Sequence, residues 1–272
     1  MLFETVRQKM TTNTSKPDCS APEADRVGDS PSDELLPEVS AVQAPPTTPA
    51  ASLETPRPAR LKWVHYSEKK LLKMRLCDLN LRIEGTRLQD RIAKVHDELA
   101  QCNIRFRPYY WLSSEWFAPD DVPGIAISFF LAHPRLQKLE EKMMLEVEGG
   151  TPGWCLRILR HEVGHAIDNA FRFHDRTDWR KHFGRYTQKY PTFYQPKPYS
   201  KRFVQHLENW YGQSHPAEDF AETFAVWLTP NSNWRKRYAD WPALKKLEYV
   251  DDLMSLIAGE KPLVRSRRKV DP

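Results

Sequence analysis

The residues best suited to chemistry lie in residues 156–173, LRILRHEVGHAIDNAFRF. Apolar Leu156, Leu159, Val163, Ile167, Ala170 and Phe171 recur at steps of three and four, which predicts a buried helix. On it lies the HExxH pattern His161-Glu162-Val163-Gly164-His165. Two histidines four apart project from one helical face, about 6 Å of rise apart. Both imidazoles can then reach a single Zn²⁺ at about 2.0–2.1 Å. Glu162 is rotated off that pair, so it is free to hydrogen-bond a metal-bound water instead of ligating. Chance alone would put HExxH in roughly one chain of this length in a hundred. Burying two histidines and a glutamate in an apolar helix is costly without a partner, however, and a metal is such a partner.

A tetrahedral catalytic site needs a third protein ligand and one open position. The metzincin extension would require glycine at 168 and histidine at 171; the chain has Asp168 and Phe171, which excludes that subclass. A later glutamate is the other standard solution, and WYGQSHPAEDFAETFAVWL (210–228) is suited to supply it. Pro216 fits the first position of a helix. Glu218 and Glu222 then share a face one turn apart, beside an apolar stripe of Phe220, Phe224 and Leu228. Glu218 is the expected third ligand. Glu222 is expected to accept a hydrogen bond from a ligating histidine and fix its tautomer. A helix-start carboxylate favoured by the macrodipole would explain Glu218 alone, but it leaves Glu222 without a partner. Asp168 has two readings, orienting a ligand or pairing with an arginine.

HEVGH followed some fifty residues later by Tyr211, Glu218 and Glu222 resembles the gluzincin metallopeptidases, particularly the catalytic domain of anthrax lethal factor. From about Trp111 to Leu228, the stretches VPGIAISFFLAHPRL and LEVEGGTPGWCLRILRHEVGHAIDNA more closely resemble a bacterial family of zinc-binding metallopeptidases known largely from sequence. The resemblance implies a zincin-like fold in which His161, His165 and Glu218 ligate zinc, Glu162 is the general base and Tyr211 is the transition-state donor. It implies no particular substrate. Read by itself, Tyr211 is a phenol that could donate to an oxyanion or simply pack among aromatic neighbours. His206 and His215 compete for the donor role on the same segment.

Other elements must position these groups. Residues 67–102 contain no proline, and their apolar periodicity predicts a helix, or a helical hairpin broken near Gly85. Its basic residues (Lys69, Lys70, Lys73, Arg75, Arg82, Arg87, Arg91 and Lys94) are expected to form a solvated face, with phosphate contact as the sharper alternative. Two strand-like runs follow at 104–112 and 124–132, and then a short helix over 134–147. In zincins generally an edge strand pairs with the extended substrate, and 124–131 is the natural candidate. Residues 184–211 mix eight aromatics with prolines and basic groups, and are expected to form a cleft wall or lid.

The full chain has 272 residues and a net charge of +5. Residues 1–60 hold nine of its 22 prolines, one of its 31 aromatics and a net −3, leaving +8 for the rest. That composition predicts a disordered, Pro-rich tail over 1–60. A zincin-like domain is then expected over 61–262, with a helical N-terminal element over 61–102, and a short, basic, frayed tail over 263–272. No apolar run approaches the ~18 residues of a membrane span. The charged start and the four scattered cysteines, without a CxxC, fit a reducing cytoplasm. The fold class expected is α+β: a small mixed sheet with an edge strand over the HExxH helix, and a mostly helical C-terminal half. The function expected is a zinc-dependent peptidase acting on a peptide or protein, without a membrane partner. The alternatives are a non-catalytic zincin-like peptide- or protein-binding module and, more weakly supported, a nucleic-acid-associated protein. The charge balance is small for the latter.

Overall fold

A computed structural model describes residues 61–270. The tail expected over 1–60 lies outside the described residues, as do residues 271–272. Helix α1 is a single turn, Glu68–Leu71, and α2 spans Arg87–Gln101. Residues 72–86 form no α-helix, so the helix or hairpin expected over 67–102 reduces to α2 and a single turn, with φ +74° at Gly85 just before α2. Thr86 caps α2 by accepting from Leu88 N, and Leu88, Ile92, Val95 and Leu99 are buried. One residue of the expected solvated face, Arg91, is instead buried, with Nη1 reaching Gly149 O at 3.3 Å.

Strands β1 (Tyr109–Ser113) and β2 (Gly124–Ser128) pair in parallel, Tyr109 opposite Gly124 and Ser113 opposite Ser128. A parallel pair normally needs a long crossover. Here the connection passes to the far side of β2, where Phe117 bridges antiparallel to Ala126, and only then does the chain enter β2. The sheet is therefore small and mixed, with β2 inside it and every β2 residue buried. This corrects the expectation that 124–131 offers a free edge. Both sides of Ala126 are taken, and residues 129–132 leave the strand for a 3-10 turn.

Helix α3 spans Pro134–Met144, α4 Pro152–Phe171, α5 Thr177–Phe183, α6 Pro216–Leu228, α7 Trp234–Arg237 and α8 Leu244–Leu256. Three of them begin the same way. Pro134, Pro152 and Pro216 sit in the first turn behind His133, Thr151 and His215, whose side chains each accept a backbone N–H. Helices α4 and α6 form the centre of the molecule, and they meet closely at Gly164. A Cβ there would lie 2.7 Å from Ala221 Cα, so only glycine allows this approach. A buried ion pair, Arg160 Nη2 to Glu98 Oε1 at 2.7 Å, ties α4 to α2. The architecture is α+β with a mostly helical C-terminal half. Among the described residues, no helix is long and apolar enough to cross a membrane.

Residues 263–270 form no regular element, yet they are tied to the body, which corrects the frayed end. Leu263 N and Val264 N donate to Ala170 O, and Trp111 Nε1 donates to Val270 O.

Candidate metal centre

Helix α4 presents His161 and His165 toward the first turn of α6, which presents Glu218. Their side chains meet in a close triangle. His161 Nε2 lies 3.1 Å from His165 Nε2, and Glu218 Oε2 lies 3.0 and 3.2 Å from those two nitrogens. For bonds of about 2.0–2.1 Å, neighbouring ligand atoms on a tetrahedron stand about 3.3 Å apart. The triangle thus has the dimensions of one tetrahedral face around zinc. Among the described residues these three form a cluster able to hold a metal ion.

The donor chemistry fits as well. Glu222 Oε1 lies 2.9 Å from His161 Nδ1. Its other oxygen accepts from the backbone N–H groups of His206 and Leu207, at 3.1 and 2.8 Å. A proton on Nδ1, donated to Glu222, leaves the lone pair of Nε2 aimed at Glu218 and at the second imidazole. Three electron-pair donors then converge in a buried space, and a cation or extra protons must hold them together. The electrostatics record the same demand. Burial opposes a charge on His161, but the hydrogen bonds and field of Glu218 and Glu222 outweigh it and push its pKa up to about 10. Burial likewise works against ionising Glu218, yet the two imidazoles hold its carboxyl well below the usual range.

Glu162 is buried beside the triangle, and burial raises its pKa, partly offset by His161 and His165. It lines a cavity of about 320 Å³ together with His161, His165, Tyr211 and Glu218. Residues 115–120 also line it, and no lysine or arginine does. The β-structure beside the cleft is therefore the segment around Phe117, not β2.

The remaining sequence candidates fall into place around this centre. The Tyr211 ring is buried 5.7 Å from that of His161 and faces the cavity. His206 is buried with Nε2 bonded to Arg157 O at 2.9 Å, and His215 is occupied by capping α6 and by Gln188 O. Neither lines the cleft. Among the described residues Asp168 has no arginine partner; it accepts from His174, side chain and backbone.

Sequence reasoning missed Tyr190, whose hydroxyl donates to Glu218 Oε1 at 2.8 Å. It belongs to the aromatic-rich link between α5 and α6, where Tyr186, Tyr194 and Tyr199 carry the same signal and no periodicity separates them.

Comparison with known proteins adds one finding. Residues 155–235 match the model of a family described as "Putative zinc-binding metallo-peptidase". The matched span carries all three members of the triangle together with Glu162 and Glu222. No curated protein and no solved structure matches the chain. The match spans the two helices that build the metal centre, their connection and the residues just beyond.

Proposed function

We propose that the chain is a zinc-dependent peptidase of gluzincin type, with His161, His165 and Glu218 as ligands. The supporting observation is the convergence of that triangle with Glu162 in a single cavity. When bound, zinc supplies a Lewis acid that brings the pKa of a water toward ~7 and polarises a carbonyl. Glu162 takes the proton from the attacking water and returns it to the leaving amine. Tyr211 donates to the oxyanion that develops on the carbonyl. Glu222 holds the His161 ring in the tautomer that leaves Nε2 available. The segment around Phe117 borders the cleft, so it is the edge along which an extended peptide would lie.

A purely structural zinc is normally closed by four protein ligands, and the triangle offers three. That favours catalysis over the non-catalytic binding module. The cleft carries carboxylates and no lysine or arginine, which disfavours a polyanion there and hence the nucleic-acid reading. The free thiols of Cys77 and Cys102, both exposed, suit a cytoplasmic setting.

The test is a peptide-library digest with zinc-loaded wild-type protein, chelator-treated protein and Glu162→Gln. Chelation should abolish cleavage. Glu162→Gln should bind zinc as the wild type does and cut about 10²–10⁴-fold more slowly. Undiminished cleavage by that variant would remove Glu162 from the reaction.

A further inference from the structure

Glu218 has two carboxylate oxygens, and the imidazole pair uses one of them. Oε2 faces the Nε2 atoms of His161 and His165. Oε1 accepts the hydroxyl hydrogen of Tyr190 at 2.8 Å. The glutamate side chain is only 5% exposed. A buried anionic oxygen needs a donor, and a charge-assisted hydrogen bond from a phenol is a strong one. Without it, Oε1 would be left to turn toward the cation.

Helix geometry does not place Tyr190. Its ring stacks on His215, centroids 3.8 Å apart and planes 13° from parallel. His215 is itself fixed, accepting from Ala217 N at 3.1 Å and bonding Gln188 O at 2.9 Å. Four residues before Tyr190, the Tyr186 hydroxyl donates to Asp120 Oδ1 at 2.7 Å, in the 115–120 segment that lines the cleft. Residues 186–190 therefore form a bridge that ties the 115–120 segment to the first turn of α6.

We propose that Tyr190 is a positioning residue of the metal centre, whose hydroxyl keeps Glu218 in one-oxygen ligation and ties zinc affinity to the 186–190 bridge. The inference rests on the reading of His161, His165 and Glu218 as zinc ligands. The full-length chain would be titrated with zinc against a chromophoric chelator, and its Co²⁺ form followed by visible absorption. Tyr190→Phe keeps the ring on His215 and removes only the hydroxyl; Tyr190→Leu removes both. Each should weaken zinc binding about 10–100-fold. Each should also dim the Co²⁺ bands as the freed carboxylate oxygen joins the metal. Tyr194→Phe, on the same segment but bonded to Asn209 O, should leave both readings unchanged. Wild-type affinity and spectrum in Tyr190→Phe, with loss only in Tyr190→Leu, would overturn the hydroxyl's role. An equal loss in Tyr194→Phe would do so too. A wild-type chain that binds no zinc would overturn the metal reading itself and this inference with it.

Discussion

Glu222 shows how much one buried carboxylate can organise. One oxygen meets His161 Nδ1, and the other collects the N–H groups of His206 and Leu207. It thereby fixes a ligand tautomer and anchors the end of the segment that enters the α6 side of the cleft. Glu222→Gln keeps the shape but turns one of the two acceptors into a donor, which faces an N–H as long as His161 keeps its proton on Nδ1. The variant should lose about 10–100-fold in zinc affinity. It should also lose about 1–3 kcal/mol of stability for the donor left unpaired. Chelator competition and urea unfolding measure the two effects separately. A stability loss with unchanged zinc affinity would reduce Glu222 to an anchor for residues 206–207.

At the scale of elements, the metal centre depends on two helices approaching closely enough for side chains from both to share one ion. Gly164 lies between the two histidines, against Ala221, which lies between Glu218 and Glu222. Gly164→Ala would force α4 and α6 apart against backbone that cannot yield. We expect a loss of roughly 1–3 kcal/mol from overpacking, partly offset by the better helix propensity of alanine. Zinc affinity should fall as well, because Glu218 moves with α6. Thermal unfolding with and without zinc checks both; a variant with wild-type affinity would show that the ligands tolerate the displacement. Much of this level was legible in the sequence. The steps of three and four around HExxH, the proline opening α6 and the four-residue spacing of Glu218 and Glu222 are local signals, and the helices follow them. Strand order was not legible, because alternation and apolar content do not say which side of β2 receives Phe117. Nor was Tyr190, since contacts made by a non-repeating segment leave no period to read.

For the molecule as a whole, the charges buried by this packing are mostly matched. Glu98 meets Arg160, Asp219 meets Lys246, and Asp168 meets His174. His206 is different. Burial pushes its pKa down to about 4, the field of Glu222 and the carbonyl of Arg157 only partly resisting. In the folded chain it stays neutral, with Nε2–H donated to that carbonyl, whereas in the unfolded chain it takes up a proton near pH 6.5. A depressed folded-state pKa means that the unfolded chain binds more protons between these two values. Its contribution is therefore complete above about pH 6.5 and lost as the pH falls through about 4. The difference amounts to something on the order of 3 kcal/mol. Urea unfolding of the metal-free protein at a series of pH values should show this decline, and His206→Gln, which does not titrate, should show a shallower one. Parallel pH profiles for the two proteins would mean that His206 is solvated or rearranges, and that acid sensitivity arises elsewhere in the fold.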